Sequence, residues 1–281
     1  MRILITGISG FLGSHLANAL ISKHELAGTV RAGSNLERVN DKDNLELINI
    51  DCVDWIEKIR FFNPDIVINT AALYGRKKES LSELIEANII FPQKIIECIR
   101  TDSTFINCGT SLPSSVSFYS LTKNQFIELA KEYCKITNIK FVNLRLEHFF
   151  GANDDPTKFT SYVINQCLSG LPLNLTEGIQ ERDFIYIDDL IIAFKCIVDS
   201  LEELDYFESI DIGSGNTVKV KDFVKLVASI TSSKSIIEFG AIPMRENELM
   251  FSCAEIQRIK SLGWKPKYDL VSAIKDMINK E

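Results

Sequence analysis

Short apolar, β-branched runs alternate with longer amphipathic stretches through the first half of the chain. The runs lie at residues 3–6, 27–30, 45–50, 66–70, 104–107 and 140–144, and helical repeats of apolar residues lie between them at 13–22, 80–88, 92–100 and 119–137. The runs are almost continuously apolar and do not alternate apolar with polar. That predicts strands buried on both faces, hence a parallel sheet covered by helices on each side. Strand and helix in regular succession make the fold class α/β, a doubly wound parallel sheet whose ligand sits at the carboxyl ends of the strands.

After Gly151 the alternation weakens. Helical patterns at 157–169, 219–232 and 270–279 are separated by stretches rich in turn and polar residues, which predicts a smaller C-terminal α/β lobe for the substrate. The expected boundaries are 1–150, with about 184–213 returning to the first domain, and 151–183 with 214–281 for the lobe. There is no internal repeat, low-complexity tract or long linker.

Composition narrows the partners. The chain has 281 residues, 46% of them hydrophobic, enough for a large core without disulfide or metal staples. Its net charge is −7 with no basic block, so neither nucleic acid nor a membrane surface is an expected partner. Seven scattered cysteines without a CxxC suggest reduced thiols in a cytoplasm. Three histidines, His15, His24 and His148, show no metal-ligand spacing, so no metal site is expected. The apolar run at the N-terminus breaks at Gly7, short of a signal-peptide core, and no run approaches membrane-spanning length.

Directly after the first run comes 7-GISGFLG-13. Gly7 allows a tight turn, Gly10 lets backbone approach a pyrophosphate and Gly13 permits close helix-to-strand packing, with Phe11 and Leu12 opening a helix whose N-terminus favours negative charge. Such a loop can be a plain structural turn, but its place between strand and helix predicts a Rossmann-type dinucleotide site. The second run ends on Arg31, with Ser34 nearby, where an acid would hold the ribose 2′-hydroxyl of NAD. A cation there suits a 2′-phosphate and predicts NADP(H), although Arg31 also reads as a solvated loop residue. Asp51 and Cys52 close the third run toward the adenine, with a helix cap as the alternative for Asp51. Thr70, Ala71 and Ala72 follow the fourth, where small residues let a cofactor lie close.

Tyr119 and Lys123 stand four apart at the start of a helical stretch, on one face, and Thr110 ends the strand before them. A phenol with a pKa near ~10 is a poor acid at neutral pH unless a cation helps it. Lys123 would supply that field and hold the nicotinamide ribose, while Thr110 would polarise a reacting carbonyl. The same spacing occurs by chance in ordinary helices, and it is the upstream glycine loop that favours chemistry.

GISGFLG, the Tyr119/Lys123 pair, 182-RDFIYIDDL-190 and 262-LGWKPK-267 together resemble the extended short-chain dehydrogenases/reductases that act on nucleotide sugars, over essentially the whole chain. The stretches FINCGTSLP, KFTSYVI, LTEGIQERDFIYI, IIEFG and ENELMFSCAEI are similar to the CDP-paratose and CDP-abequose synthases within that family, the paratose enzymes being the nearer match. The resemblance implies that Thr110, Tyr119 and Lys123 are the catalytic set and that NADPH reduces the 4-keto group of a CDP-linked keto-deoxysugar for O-antigen synthesis. It further implies that Ser111, His148, Arg182 and Arg245 face the sugar nucleotide. It is compatible with a homodimer through helices flanking the sheet.

Sugar dehydratases of this family place Asp-Glu after the threonine. Here Ser111 and Leu112 follow, which favours plain reduction or epimerisation over elimination. His148 also reads as a structural histidine, and Arg182 and Arg245 as ion-pair partners of Asp183 and Glu246. Asp188 and Asp189 read as bracing the following helix. The alternatives are a 4-epimerase with recycled NAD and a non-catalytic NADP-sensing regulator.

Overall fold

The run at 3–6 forms β1 (Arg2–Thr6), in which Ile3, Leu4 and Ile5 are fully buried. In the computed structural model, which describes all residues from Met1 to Glu281, the next elements are α1 (Phe11–Leu20), β2 (Glu25–Val30), β3 (Leu45–Asn49), α2 (Trp55–Phe62) and β4 (Ile66–Asn69). There follow α3 (Leu81–Ile85), α4 (Phe91–Cys98), β5 (Thr104–Thr110), α5 (Phe118–Thr137) and β6 (Lys140–Leu146). A seven-stranded sheet takes the order β10-β6-β5-β4-β1-β2-β3, with β10 at Phe207–Ile212. The pairs β1–β2, β1–β4, β2–β3 and β4–β5 are parallel, with Ile3 opposite both Leu26 and Ile66. The order reverses at β1, which puts a topological switch point between β1 and β4.

The chain clusters into two units, Met1–Arg145 with Ile197–Ile210, and Leu146–Cys196 with Asp211–Glu281. The core of the first includes a train of rings. Phe105 stacks on Phe141 at 5.7 Å, Phe141 on Phe207 at 5.6 Å, and Phe126 from α5 closes on both at 6.0 Å. Phe126, Ala130 and Cys134 recur every four residues on α5 and are all buried, so the helix is held by that stripe. A buried ring of this kind is worth about 1.5–3 kcal/mol.

The two helices expected at 80–88 and 92–100 form one passage, α3, a π-turn at Glu86–Ile90, then α4. Pro92 has no N–H to offer the carbonyl four residues back, and the helix passes this point as a wider turn. Ser80 and Glu83 start the passage with a reciprocal capping box. The helix α2 has only eight residues and was not expected from periodicity.

In the second unit a three-stranded sheet has the order β11-β9-β7, from Thr217–Lys219, Glu181–Tyr186 and His148–Phe150. A two-stranded sheet pairs β8 (Leu173–Leu175) with β12 (Ile237–Phe239). Helices α6 (Phe159–Ser169), α8 (Val220–Ile230), α9 (Gln257–Ser261) and α10 (Leu270–Lys280) complete it, and α7 (Ile187–Asp199) begins in this unit. Phe184 stacks on Phe223 at 4.5 Å, with Phe150 edge-on to both. Asp189 does brace: its carboxylate accepts from the amides of Lys267 (2.7 Å) and Tyr268 (3.1 Å), and its carbonyl accepts from the indole of buried Trp264 (2.9 Å). That explains the LGWKPK stretch as a packed C-terminal clasp. No helix is long and apolar enough to cross a membrane.

Candidate active site

The glycine loop sits at the switch point. Gly7 adopts φ +63°, and a Cβ there would lie 3.0 Å from the Ala71 Cα. At Gly13 a Cβ would collide with the Gly7 carbonyl oxygen, which itself accepts from the Gly10 amide at 2.9 Å. The loop is therefore a backbone cradle with no room for side chains. Gly10 caps α1 without a side-chain bond, and Phe11 and Leu12 point their side chains into the core. A pyrophosphate laid on main-chain amides at a helix N-terminus fits this shape. Thr70 and Ala71 are tied to β1, the Thr70 hydroxyl donating to the Thr6 carbonyl (2.5 Å) and the Ala71 amide to the Thr6 hydroxyl (3.1 Å). Ala72 follows, half-buried.

Directly after β2 Arg31 is exposed, and its amide donates to the Ser34 hydroxyl at 3.0 Å. Asp51 is not a helix cap. Its carboxylate accepts from the Ala32 amide at 2.7 Å, which draws the ends of β2 and β3 together beside Arg31, with exposed Cys52 next to it.

Thr110 is the last residue of β5 and is buried, its hydroxyl accepting from the Leu112 amide at 3.2 Å, with Ser111 half-buried beside it. Ser117 and Ser120 form a reciprocal cap that starts α5, so Tyr119 stands in the first turn and Lys123 one turn on. Lys123 is 1% exposed, and burial pulls its ammonium down to about 8, partly offset by the nearby Cys108 thiol of β5. Burial pushes that thiol up to about 12. Tyr119 is half-buried, and desolvation together with the Tyr74 phenol holds it well above the usual phenol range, against the field of Arg76. The lowering of the phenol expected from Lys123 is therefore not what this structure shows: burial outweighs it, and Tyr119 keeps its proton more firmly than a free phenol.

Tyr74 and Arg76, on the loop after β4, were missed from the sequence. The Tyr74 ring stacks on Tyr119 at 4.8 Å, and the Arg76 guanidinium lies 5.3 Å from the Tyr74 ring centre. Asn88, in the π-turn, was missed too. Its amide oxygen accepts from the Leu73 amide (2.9 Å), and its nitrogen donates to the Leu73 carbonyl (2.9 Å) and the Thr122 hydroxyl (3.0 Å). It joins the loop to α5 one residue before Lys123. The sequence signals are an asparagine in an otherwise apolar stretch and a proline four residues later.

A buried amide ladder floors this end of the sheet. Thr6 donates to Asn69 (2.8 Å), Asn69 to Asn107 (3.0 Å), Asn107 to Asn143 (2.9 Å) and Asn143 to Ser209 (3.4 Å). Asn69 is in register with both Thr6 and Asn107. Each asparagine of the ladder has apolar neighbours before it in its strand, and each link is satisfied by the next.

In the second unit Arg182 is buried, not a surface residue, and its partner is Glu248 (2.6 Å), not the adjacent Asp183. It also donates to the Glu181 carbonyl. Desolvation lowers its pKa, with Glu248 and Glu147 opposing. Asp183 instead accepts from Ser214, Gly215 and Ala254 and organises their loops. His148, on β7, lies edge-on to Phe184 at 5.9 Å with Nδ1 3.6 Å from the Glu147 carboxylate, which takes the Ser252 hydroxyl. Arg245 is exposed, three residues before Glu248. No cluster of histidine, cysteine or acidic side chains is placed to hold a metal.

The sequence model of the NAD dependent epimerase/dehydratase family matches residues 3–213. A CDP-abequose synthase of Salmonella typhimurium is 32% identical, covering 99% of this chain and 97% of its own length. A CDP-abequose synthase of Yersinia pseudotuberculosis is 27% identical, covering 98% and 100%. The fold is similar to that of UDP-glucuronic acid 4-epimerase from Bacillus cereus, solved with UDP-glucuronic acid and NAD. The TM-score is 0.86 and the identity 24%, over 100% of this chain and 98% of that one.

Proposed function

The chain belongs to the NAD dependent epimerase/dehydratase family, and from that premise we propose that it is an NADPH-dependent nucleotide-sugar 4-ketoreductase. Its substrate is CDP-4-dehydro-3,6-dideoxy-D-glucose and its product a CDP-3,6-dideoxyhexose of O-antigen synthesis. The observation that carries the reading is the placing of buried Thr110 at the end of β5 and of half-buried Tyr119 and buried Lys123 one turn apart on α5, with no acid pair after Thr110 to eliminate water.

When bound, NADPH supplies the hydride that reduces C4. The glycine loop holds the pyrophosphate, and Arg31 and Ser34 hold the 2′-phosphate. Tyr119 gives its proton to the oxygen at C4 as negative charge develops there, and the Thr110 hydroxyl donates to the same oxygen. Lys123 hydrogen-bonds the nicotinamide ribose and stabilises the phenolate left behind. Arg182 and Arg245 serve the diphosphate and His148 the sugar. Because Glu248 and Glu181 already occupy two nitrogens of Arg182, its role toward phosphate uses the remaining edge of the guanidinium.

The sequence motifs lean to CDP-paratose. The names of the Salmonella and Yersinia relatives favour the C4 epimer, CDP-abequose, as the second reading. Purified protein is offered NADPH and the keto substrate, nicotinamide absorbance is followed, and the C4–H coupling constants of the product are read by NMR. Large couplings identify paratose and small ones abequose. No oxidation of NADPH sinks the proposal, and inversion at C4 of a 4-hydroxy nucleotide sugar with no net change in nicotinamide indicates a 4-epimerase. Tyr119→Phe is expected to lose at least ~100-fold in kcat with its fold intact.

A further inference from the structure

We propose that Glu147 is a positioning residue for His148: its carboxylate keeps the imidazole proton on Nδ1 and leaves Nε2 bare, to accept a hydrogen bond from the hydroxyl at C2 of the sugar. The inference rests on the reading of His148 as a residue that faces the sugar, and it adds two residues, Glu147 and Ser252, to which the sequence gave no role.

Neighbouring residues of a strand point to opposite faces and do not meet. Glu147 meets His148 because the strand breaks there: β6 ends at Leu146, β7 begins at His148, and Glu147 belongs to neither. Its amide donates to the Ile212 carbonyl at 2.9 Å, and its side chain is 3% exposed. The Ser252 hydroxyl lies 2.6 and 2.8 Å from the two carboxylate oxygens. Ser252 is itself buried and held by its backbone, its amide donating to the Glu181 carbonyl at 3.2 Å. The Arg182 guanidinium lends its field but is paired with Glu248. The group within ion-pair distance of Glu147 is the imidazole, with Nδ1 3.6 Å from Oε2. One hydroxyl proton is little for a carboxylate so far from water, and the next hydrogen available to it is the one at Nδ1.

Nδ1 is buried and has no hydrogen-bond partner, whereas the His148 side chain is 39% exposed, so the edge left for a ligand is that of Nε2. The ring is braced from the side: His148 stands opposite Phe184 in the pairing of β7 with β9, and the Phe184 ring lies edge-on at 5.9 Å. A neutral imidazole has one donor and one acceptor nitrogen, and what faces one decides the other. The 3.6 Å separation is a few tenths of an ångström longer than a hydrogen bond. The sign of the interaction is fixed all the same, because a bare Nδ1 lone pair is repelled by the carboxylate and an N–H is attracted to it. Nε2 is then an acceptor. The sugar of the proposed substrate has a single hydroxyl, at C2, and its C4 carbonyl and ring oxygen have no proton to give. An acceptor at Nε2 therefore selects the C2 hydroxyl.

The test starts from ligand-free protein labelled with ¹⁵N. The chain has three histidines, and the His148 imidazole signals are those lost in His148→Asn. At about pH 8.5, about two units above an ordinary imidazole, their shifts are expected to show a protonated Nδ1 and a bare Nε2. In Glu147→Leu they are expected to revert toward the Nε2–H form that free histidine favours. A wild-type His148 with its proton on Nε2 overturns the proposal, and that result does not depend on the folding of Glu147→Leu. In turnover, Glu147→Leu is expected to lower kcat/KM for the sugar nucleotide by up to about tenfold, the worth of one neutral hydrogen bond, with KM for NADPH unchanged. Added to His148→Leu it costs nothing further, because the carboxylate acts through the imidazole. Losses that add, or an unchanged kcat/KM in Glu147→Leu, overturn the positioning role. If wild-type protein reduces no keto sugar nucleotide, the function proposed above fails, and the ¹⁵N shifts still decide which nitrogen Glu147 holds protonated.

Discussion

Replacing Lys123 by methionine removes an ammonium that the fold pays heavily to bury. The side chain is 1% exposed, and burial brings its pKa down to about 8 from 10.5. At about 1.4 kcal/mol per pH unit, the charged lysine destabilises the ligand-free protein by on the order of 3 kcal/mol. The folded pKa lies below the unfolded one. Below pH 8 both states are protonated and the whole penalty applies; between 8 and 10.5 the folded state binds fewer protons than the unfolded one, so stability rises with pH; above 10.5 the penalty is gone.

Ligand-free Lys123→Met is therefore expected to be more stable than wild type at pH 7 by about 3 kcal/mol, and at pH 9.5 by roughly half as much. Urea melts of both proteins at the two pH values measure the gap. Taking the difference largely cancels the opposite trend from the buried thiols of Cys98 and Cys134, both raised to about 11, which weaken both proteins as pH rises. A gap that does not change with pH, or a variant less stable at pH 7, refutes the reasoning. The same substitution is expected to weaken NADPH binding and turnover, which identifies the lysine as retained for chemistry and not for the fold.

Arg31→Ala is expected to weaken NADPH binding by about 10- to 100-fold, the worth of a charge-assisted contact to phosphate, and to leave NADH binding unchanged, as read by fluorescence titration. Gly13→Ala drives a methyl into the Gly7 carbonyl oxygen, so binding of either dinucleotide is expected to be lost in isothermal titration, with a lower Tm. Asn107→Leu strands the Asn69 amide nitrogen and the Asn143 amide oxygen. It is expected to cost about 2–4 kcal/mol in urea melts, and a cost under 1 shows that water replaces the link.

The strands of the first unit were legible because each is a short apolar run closed by a small or polar residue, and burial on both faces demands nothing subtler. Patterning failed where an element was short or ran directly into its neighbour. Helix α2 has eight residues, with Ile59 and Phe62 buried, and α7 follows β9 with no turn residue between them, so its bounds were not read although a helix was expected at Asp188 and Asp189. The merger of the two helices around Pro92 was hidden because proline normally ends a helix, and here a π-turn absorbs it.

The candidate site divides along the same physical line. Gly7, Gly10, Gly13, Thr110, Tyr119 and Lys123 could be read because local geometry alone links them: a turn after a strand, and one helical step. Tyr74, Asn88 and Glu248 could not, because each acts on a residue far along the chain: Tyr74 on Tyr119, Asn88 on Leu73 and Thr122, and Glu248 on Arg182. The asparagines at 69, 107 and 143 are intermediate. Each by itself is an oddity in an apolar strand, and only when parallel pairing brings them into line do they form a continuous ladder across the sheet. A buried amide is costly alone and neutral or better once paired, so an isolated polar residue in a buried strand predicts a partner at the same height on the neighbouring strand. The pairing of Asn69 with Asn107 sets the register of β4 against β5, and with it the height of Thr110 at the end of β5.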